Sequence, residues 1–423
     1  MTWLQRYRLR TFVRSSLWIV PLGGMLLALL IAPAFRELDA RSKWTLLGFT
    51  PNGARSLVGA LVASGLSFIV FTFSILLVAV QIASGNLSPR VIPSFLKDRP
   101  VKIVLGVFVF TFTYSVAVLG RIEDSVLQLP MLLVILFNIL SIAGFLYLID
   151  YTATNLRPVS MAARIAAEGR AVIEDVYPRA LATPGGALAE PETEQLSAPS
   201  RTIIYGGTSG VIVAMHVEGL VALAQKAGCV LKMIPQVGEF VGKGEPFFQV
   251  FGGNDTLDER GLHEAVAFGA ERTMQQDPEY GFRILVDIAA KALSPAINDP
   301  TSAVLVIHQI HRLLYLVGTR DLSTGEVHDR AGHLRLIFRT PDWEDFVSLA
   351  VTEIRLYGAG SMQVPRRLRA MLENLIQILP SVRAPALREE LNLLDRSAQR
   401  GFSDHEDQVR AETADYQGVG GGR

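Results

Sequence analysis

One cysteine, Cys229, among 423 residues leaves no partner for an intrachain disulfide and no thiol cluster for zinc or iron–sulfur binding. Such a chain fits a reduced compartment. An excess of either charge is missing too: 40 basic residues balance 40 acidic ones, without the one-sided basic surface that binds a phosphate backbone. Nucleic acid is therefore not expected as a partner. Four stretches contain no Asp, Glu, Lys or Arg at all: Ser15 to Phe35, Ser56 to Pro89, Ile103 to Gly120 and Ser125 to Ile149. Beyond Asp150, charges recur every few residues. That segregation divides the chain into a membrane half and an aqueous half.

Roughly 20 apolar residues at about 1.5 Å each cross a hydrocarbon core of about 30 Å. The four uncharged stretches therefore predict transmembrane helices over about 15–36, 57–84, 103–121 and 128–150. The first reads as a retained span and not a signal peptide, because Arg36, Glu37 and Leu38 follow it without a small-residue cleavage context and three more spans come after. Basic residues collect in cytoplasmic loops. Arg6, Arg8, Arg10 and Arg14 precede span one, Arg90, Lys97, Arg99 and Lys102 join spans two and three, and Arg157, Arg164 and Arg170 follow span four. The loop over 121–127 has one arginine against two acids, while Arg41, Lys43 and Arg55 in the first outer loop weaken the pattern slightly. The expected topology is multi-pass in a bacterial inner membrane, with both termini cytoplasmic.

Span two is unusual. Its uncharged run from Ser56 to Pro89 would be about 50 Å long as one helix, so it must tilt or project beyond the bilayer into a buried setting. Ser67, Ser74, Gln81 and Ser88 recur every seven residues, with Ser64 and Ser84 a turn away, and together they occupy less than half the helix circumference. Two readings follow. Small residues such as Gly59, Ala63, Ser67 and Ser74 let helices approach closely, so the stripe serves packing. Alternatively it is a wet face lining an aqueous path around a symmetry axis. The spans hold no ionisable residue, which argues against a proton-coupled pump. Thr111, Thr113, Tyr114 and Ser115 in span three, and Asn138 and Ser141 in span four, read as interhelical hydrogen-bonding groups.

The aqueous half is expected to comprise a helical extension and linker over 156–200, an α+β domain over 201–400 and a disordered tail over 401–423. ALATPGGALAEPETEQLSAPS is linker-like in composition. TIIYGGTSGVIVAMHV reads as two short strands around a turn, GLVALAQKAG as a helix ended by Gly228, and CVLKMIPQVGEFVGKGEPFFQVFG as further strands. The glycines of VGEFVGKGEP match neither nucleotide-binding fingerprint, so they are read as turn residues. The run also resembles hairpins of biotinyl-like barrels, but the attachment-lysine context is absent. Residues 257–318 read as mainly helical, with LDERGLHEAVAFGAERTM as one amphipathic stretch. In ALSPAINDPTSA, Asp299 before Pro300 has the form of a helix N-cap and first helical position. Asn298, Asp299 and Pro300 thus form either a tight helix corner or a polar-ligand site at that helix start. His308 and His311 lie one turn apart, but no acidic or thiol partner stands at recognisable spacing, so no metal and no cofactor is expected. No hydrolase motif frames the Ser, His and Asp residues present, and no enzyme activity is expected.

FTFSILLVAVQIASGNLSPRVIPSFLKDRPVKIVLGVFVFTFTYS, followed by SGVIVAMHV, VGEFVGKGEP and ALSPAINDPTSA, resembles the bacterial predicted membrane proteins grouped as "domain of unknown function 2254". The likeness runs over roughly residues 10 to 400, and QIASGNLSPR and ALSPAINDPTSA are its most specific pieces. It implies the same architecture, an α-helical transmembrane bundle with a cytoplasmic α+β domain, and supplies no catalytic residues. The expected function is a homo-oligomeric channel or pore for ions or small solutes. Ser64, Ser67, Ser74, Gln81, Ser84 and Ser88 would line it, and the soluble domain would gate or filter it. The alternative is a non-conducting scaffold or sensor whose soluble domain binds a partner or small ligand. The expected partners are the lipid bilayer, further copies of the chain, and ions or small solutes.

Overall fold

The computed structural model describes residues 2–42, 48–93, 98–122, 126–181, 196, 198–253, 256–322 and 325–420. Most of the expected linker (182–195 and 197), Lys43, Lys97, residues 123–125 of the expected outer loop and the final three residues lie outside the described residues. The chain divides into two compact units. One holds Arg10–Ser160, and the other joins Met1–Leu9 to Met161–Arg423. The transmembrane domain was expected to cover residues 1–155, the first nine included. They group instead with the soluble unit, because Trp3, Leu4 and Tyr7 of helix α1 (Trp3–Ser15) pack on Val213, Ala214 and Ala267.

In the membrane unit, α2 (Ile19–Ser42), α3 (Pro51–Ile82), α4 (Arg99–Leu119) and α5 (Gln128–Asn155) are each long and apolar enough to cross a bilayer. They correspond to spans one to four. Span two begins where the Thr50 side chain accepts the amide hydrogen of Gly53 and Pro51 takes the first turn, which needs no amide donor. Its 32 residues make a helix about 48 Å long. The end is a π-turn over Ala83–Leu87, after which Ser88 accepts from the Arg90 amide and caps the 3₁₀ turn Pro89–Val91. Ala83, Leu87, Ser88 and Val91 are all buried, as the apolar overshoot required. Asp39, near the end of α2, accepts the amide hydrogens of Gln128 and Leu129 and so caps the first turn of span four.

The soluble unit opens with α6 (Pro158–Val176), the expected helical extension. Two sheets follow. The larger has the order β1 (Arg201–Ile204), β5 (Pro246–Gly252), β3 (Cys229–Met233), β8 (Leu334–Ile337) and β7 (Glu326–His328), with only the β3–β8 pair parallel. The smaller has β4 (Phe240–Val241), β2 (Gly210–Met215) and β6 (Val266–Gly269), all antiparallel. The two strands foreseen around the Gly206–Gly210 turn do form, but in different sheets. Between the sheets lies a core of Leu220, Leu231, Phe247, Phe248, Leu262 and Leu336. Helix α7 (Val217–Ala227) ends as expected at Gly228, in the left-handed region at φ 64°.

The stretch LDERGLHEAVAFGAERTM departs from its helical reading. Only α8 (Glu259–Glu264) is helical, because VAFG pairs with β2 as strand β6. The rest of the unit is helical: α9 (Pro278–Ala292), α10 (Pro300–Gly318), α11 (Trp343–Tyr357), α12 (Gln363–Ile378), α13 (Ala384–Gly401) and α14 (His405–Ala411). Helix α14 corrects the disordered-tail expectation. The Asp404 side chain caps it, and the Asp415 carboxylate gathers the amide hydrogens of Gln417, Gly418 and Gly420. Arg366 donates to the carbonyls of Thr413 and Gly420, so the glycine-rich end is held by its own backbone polar groups.

Candidate functional site on the outward face of span two

Span two has two faces set by a seven-residue repeat. Gly65, Thr72 and Ala79 are buried against the chain's own helices, with Gly65 close to Phe112 of span three. Ser67, Ser74 and Gln81 each follow one of these by two positions. Two residues turn a helix by about 200°, so the polar stripe lies on the opposite face. In agreement, Ser64, Ser67, Ser74 and Gln81 are exposed, Ser84 is half-buried and only Ser88 is buried. Leu66, Val70, Phe71, Phe73, Leu77 and Val78 flank the stripe and are exposed as well. Ser56, eleven residues before Ser67, lies on the same face and was overlooked because it stands outside the seven-residue repeat.

Three of the hydroxyls on this face are locally satisfied. Ser64, Ser67 and Ser74 donate to the carbonyls of Ala60, Ala63 and Val70, one turn earlier, at 3.0, 3.1 and 3.0 Å. Such back-bonding lets a serine face an apolar neighbour at little cost. Gln81 makes no such bond, and its carboxamide, like the Ser56 and Ser84 hydroxyls, has no partner among the described residues. Ser88 belongs to the helix terminator described above, so its oxygen serves the backbone.

Spans three and four supply the support. Ser141 donates to Thr111 Oγ1 at 3.1 Å, Thr111 donates to the Phe137 carbonyl, and the Asn138 amide reaches Ser115 Oγ and the Val134 carbonyl. All four side chains are buried, the condition under which polar groups in a bilayer must find partners. Thr113 takes no part, and Tyr114 departs from its expected role. Its buried hydroxyl has no partner, while its ring stacks on Phe110 and meets Phe137 edge-on.

At the soluble corner, Asp299 caps α10, one carboxylate oxygen accepting from the Ser302 amide at 3.0 Å and the other from the Ser302 hydroxyl at 2.5 Å. Pro300 occupies the first helical position and Asn298 has φ 50°, a conformation its short polar side chain tolerates. The three residues form a tight helix corner whose carboxylate oxygens are both engaged. His311 is likewise committed. Arginine only donates, so the ring Nδ1 accepts from Arg367 at 3.1 Å and Nε2 must carry the hydrogen it gives Asn374 Oδ1 at 2.9 Å. Burial, then the Arg367 charge, push the His311 pKa down to about 4.

The reading from residue types missed a buried ion cluster. Arg272 grips Asp277 in two-pronged fashion at 2.7 and 2.9 Å and reaches Glu279 at 3.2 Å, while Asp277 also caps α9 through the Tyr280 amide. Gly238, at φ 94°, makes room for it, since a Cβ there would sit 2.5 Å from the Asp277 carboxylate. No spacing rule announces such a cluster, because Asp277-Pro278 reads simply as a helix start.

The chain is similar to uncharacterized proteins of Mycobacterium tuberculosis and Mycobacterium bovis, each 26% identical over 426 residues that cover 96% of this chain and 80% of the relative. No solved structure matches it. Residues 14–374 match the family described as "Predicted membrane protein (DUF2254)", a range that takes in all four spans, both sheets and the helices as far as α12. The chain therefore belongs to the DUF2254 family of predicted membrane proteins.

Proposed function

We propose that the protein is a homo-oligomeric membrane channel for ions or small solutes, in which copies of span two surround the path and the soluble unit gates or filters it. One observation carries this reading: the face of span two bearing Ser64, Ser67, Ser74 and Gln81 is turned away from the chain's own spans and left uncovered. A polar stripe between large apolar flanks suits a symmetric ring, where the flanks meet neighbouring copies and the stripe meets water. A neutral lining sets no preference between cations and anions by itself. The reading is a non-enzymatic one.

The topology proposed is N-in and C-in within a bacterial inner membrane. Four spans return the chain to its starting side, and the membership of residues 1–9 in the same compact unit as 161–423 supports that parity. The arginines of α1, with no acidic residue in that helix, support the cytoplasm as that side. A second reading, a non-conducting sensor or scaffold, draws support from the back-bonded serines, which need no water to be satisfied.

Purified protein in liposomes, with potassium and chloride gradients imposed separately, decides between the two. A channel gives a flux that Gln81→Leu reduces severalfold. Absence of flux under any gradient, voltage or tension sinks the channel and leaves the sensor.

A further inference from the structure

Within the soluble unit, a cavity of about 190 Å³ lies where the smaller sheet meets the helical half. Junctions between modules are where small-molecule sites form most often. Liquid water takes about 30 Å³ per molecule, so the space suits a compound of roughly six to ten non-hydrogen atoms. Met215, Val237 and Phe338 form apolar wall, and Gln276 is fixed beside them because its carboxamide both accepts from and donates to the Met215 backbone.

Besides Thr340, whose hydroxyl donates to the Leu322 carbonyl, three further polar residues line the cavity, namely Asp175, Arg339 and Gln236. None of the three makes a side-chain hydrogen bond or ion pair among the described residues. Elsewhere in this unit opposite charges that approach one another close into pairs, as Arg283 does with Glu353 at 2.6 Å and Arg335 with Asp329 at 2.8 Å. Asp175 and Arg339 share one cavity wall system without meeting. A carboxylate and a guanidinium held apart around a small, partly apolar space are complementary to a molecule with its own separated charges. The guanidinium offers a forked donor to a carboxylate, and the Asp175 carboxylate accepts from an ammonium. Their charges cancel, which disfavours phosphate esters and other multiply charged anions.

We infer that this cavity binds a small zwitterion of the α-amino-acid type, its carboxylate on Arg339, its ammonium on Asp175 and its side chain against Met215, Val237 and Phe338. Gln236 supplies a neutral partner to either end. Asp175 sits near the end of α6, the helix that follows span four in sequence, so an occupant would tie that segment to the residues following β8. The site stands apart from the channel reading and holds whether or not span two conducts.

The test is binding to the full-length protein in detergent by calorimetry and thermal shift. Probes are glycine and the L-amino acids individually, each active one paired with its deaminated acid and its decarboxylated amine. At least one amino acid should bind, and both of its single-charge analogues should bind at least tenfold more weakly. Asp175→Asn should weaken the amino acid tenfold or more and leave the deaminated acid unchanged, whereas Arg339→Gln should weaken it and leave the amine unchanged. Both residues are exposed, and a thermal melt of each variant without ligand confirms that it folds. The inference fails if no amino acid binds, if the acid or amine binds as well as the zwitterion, or if both folded variants bind like the parent.

Discussion

Spans one and three approach so closely that a Cβ on Gly24 would lie 2.7 Å from the Gly106 carbonyl oxygen, and Ala28, Ala32, Ala54 and Ala79 are among the buried residues of spans one and two, beside Val58 and Leu76. The soluble unit buries Phe247, Phe248, Trp343 and Phe346. The membrane unit buries Phe108, Tyr114, Met131 and Leu148 in spans three and four as well, but it turns many other large residues outward, with Leu30 72% and Leu77 65% exposed. The contrast follows from the solvent. In water each Å² of apolar surface buried contributes about 25 cal/mol, so bulky side chains go inside. Lipid is as apolar as leucine and supplies no such gain, so at the seam of spans one and three small residues that permit close backbone contact take the interior. Polar groups divide likewise. Neutral hydroxyls and an amide join spans three and four, and the buried charges of the membrane unit, Asp39 and Lys102, lie near span ends, whereas the soluble unit buries charges in paired clusters around Asp277 and Glu390.

If that contrast is sound, the largest effect comes from stranding a buried charge. Arg272→Ala leaves the Asp277 carboxylate, 2% exposed, without its cation and should cost about 3–5 kcal/mol, read as a fall in melting temperature. A loss below about 1 kcal/mol would mean that water reaches the cluster. Next in size is a pH effect on the soluble unit. The folded-state pKa of His311 lies below its unfolded value, so the unfolded chain takes up the proton first and stability falls as pH drops from about 6.5 toward 4. Between pH 7 and 5 this amounts to about 1 kcal/mol once partial exposure is allowed for. In His311→Gln the corresponding slope of melting temperature against pH should flatten, and an unchanged slope would remove His311 from the account. The smallest effect belongs to the spans. Asn138→Leu removes a buried interhelical hydrogen bond, yet such bonds average about 0.6 kcal/mol in bilayers. A measured loss in bicelles above about 2 kcal/mol would erase the distinction between the two interiors.

What residue patterns reveal divides along the same line. The four spans were legible because charge exclusion over a bilayer's thickness is a one-dimensional signal, and the ends differ by only a few residues. Span one runs on to Ser42 and span four to Asn155 because a helix persists past the apolar run wherever nothing caps it. The Asp299-Pro300 cap and the Gly228 stop were equally local. Strand β6 was not, since VAFG becomes a strand only through β2, some fifty residues earlier. The stripe on span two was legible as periodicity, but which way it faces depends on where spans one, three and four pack. Asp175, Gln236 and Arg339 come from three distant segments, so no motif could join them.

The docking of α1 has a consequence for biosynthesis. Trp3 stacks on His216 with ring centroids 5.1 Å apart and planes within 7°, and Leu4 and Tyr7 complete the contact with β2 and β6. Those partners are translated roughly two hundred residues after α1, a delay of about 10–40 s at ordinary ribosomal speeds. Throughout that interval the basic, aromatic α1 waits while all four spans enter the bilayer. The seam between the first residues and the mid-chain strands β2 and β6 therefore closes only after all four spans have been made, and a bulky fusion ahead of Trp3 would obstruct that closure, where one after α14 would not.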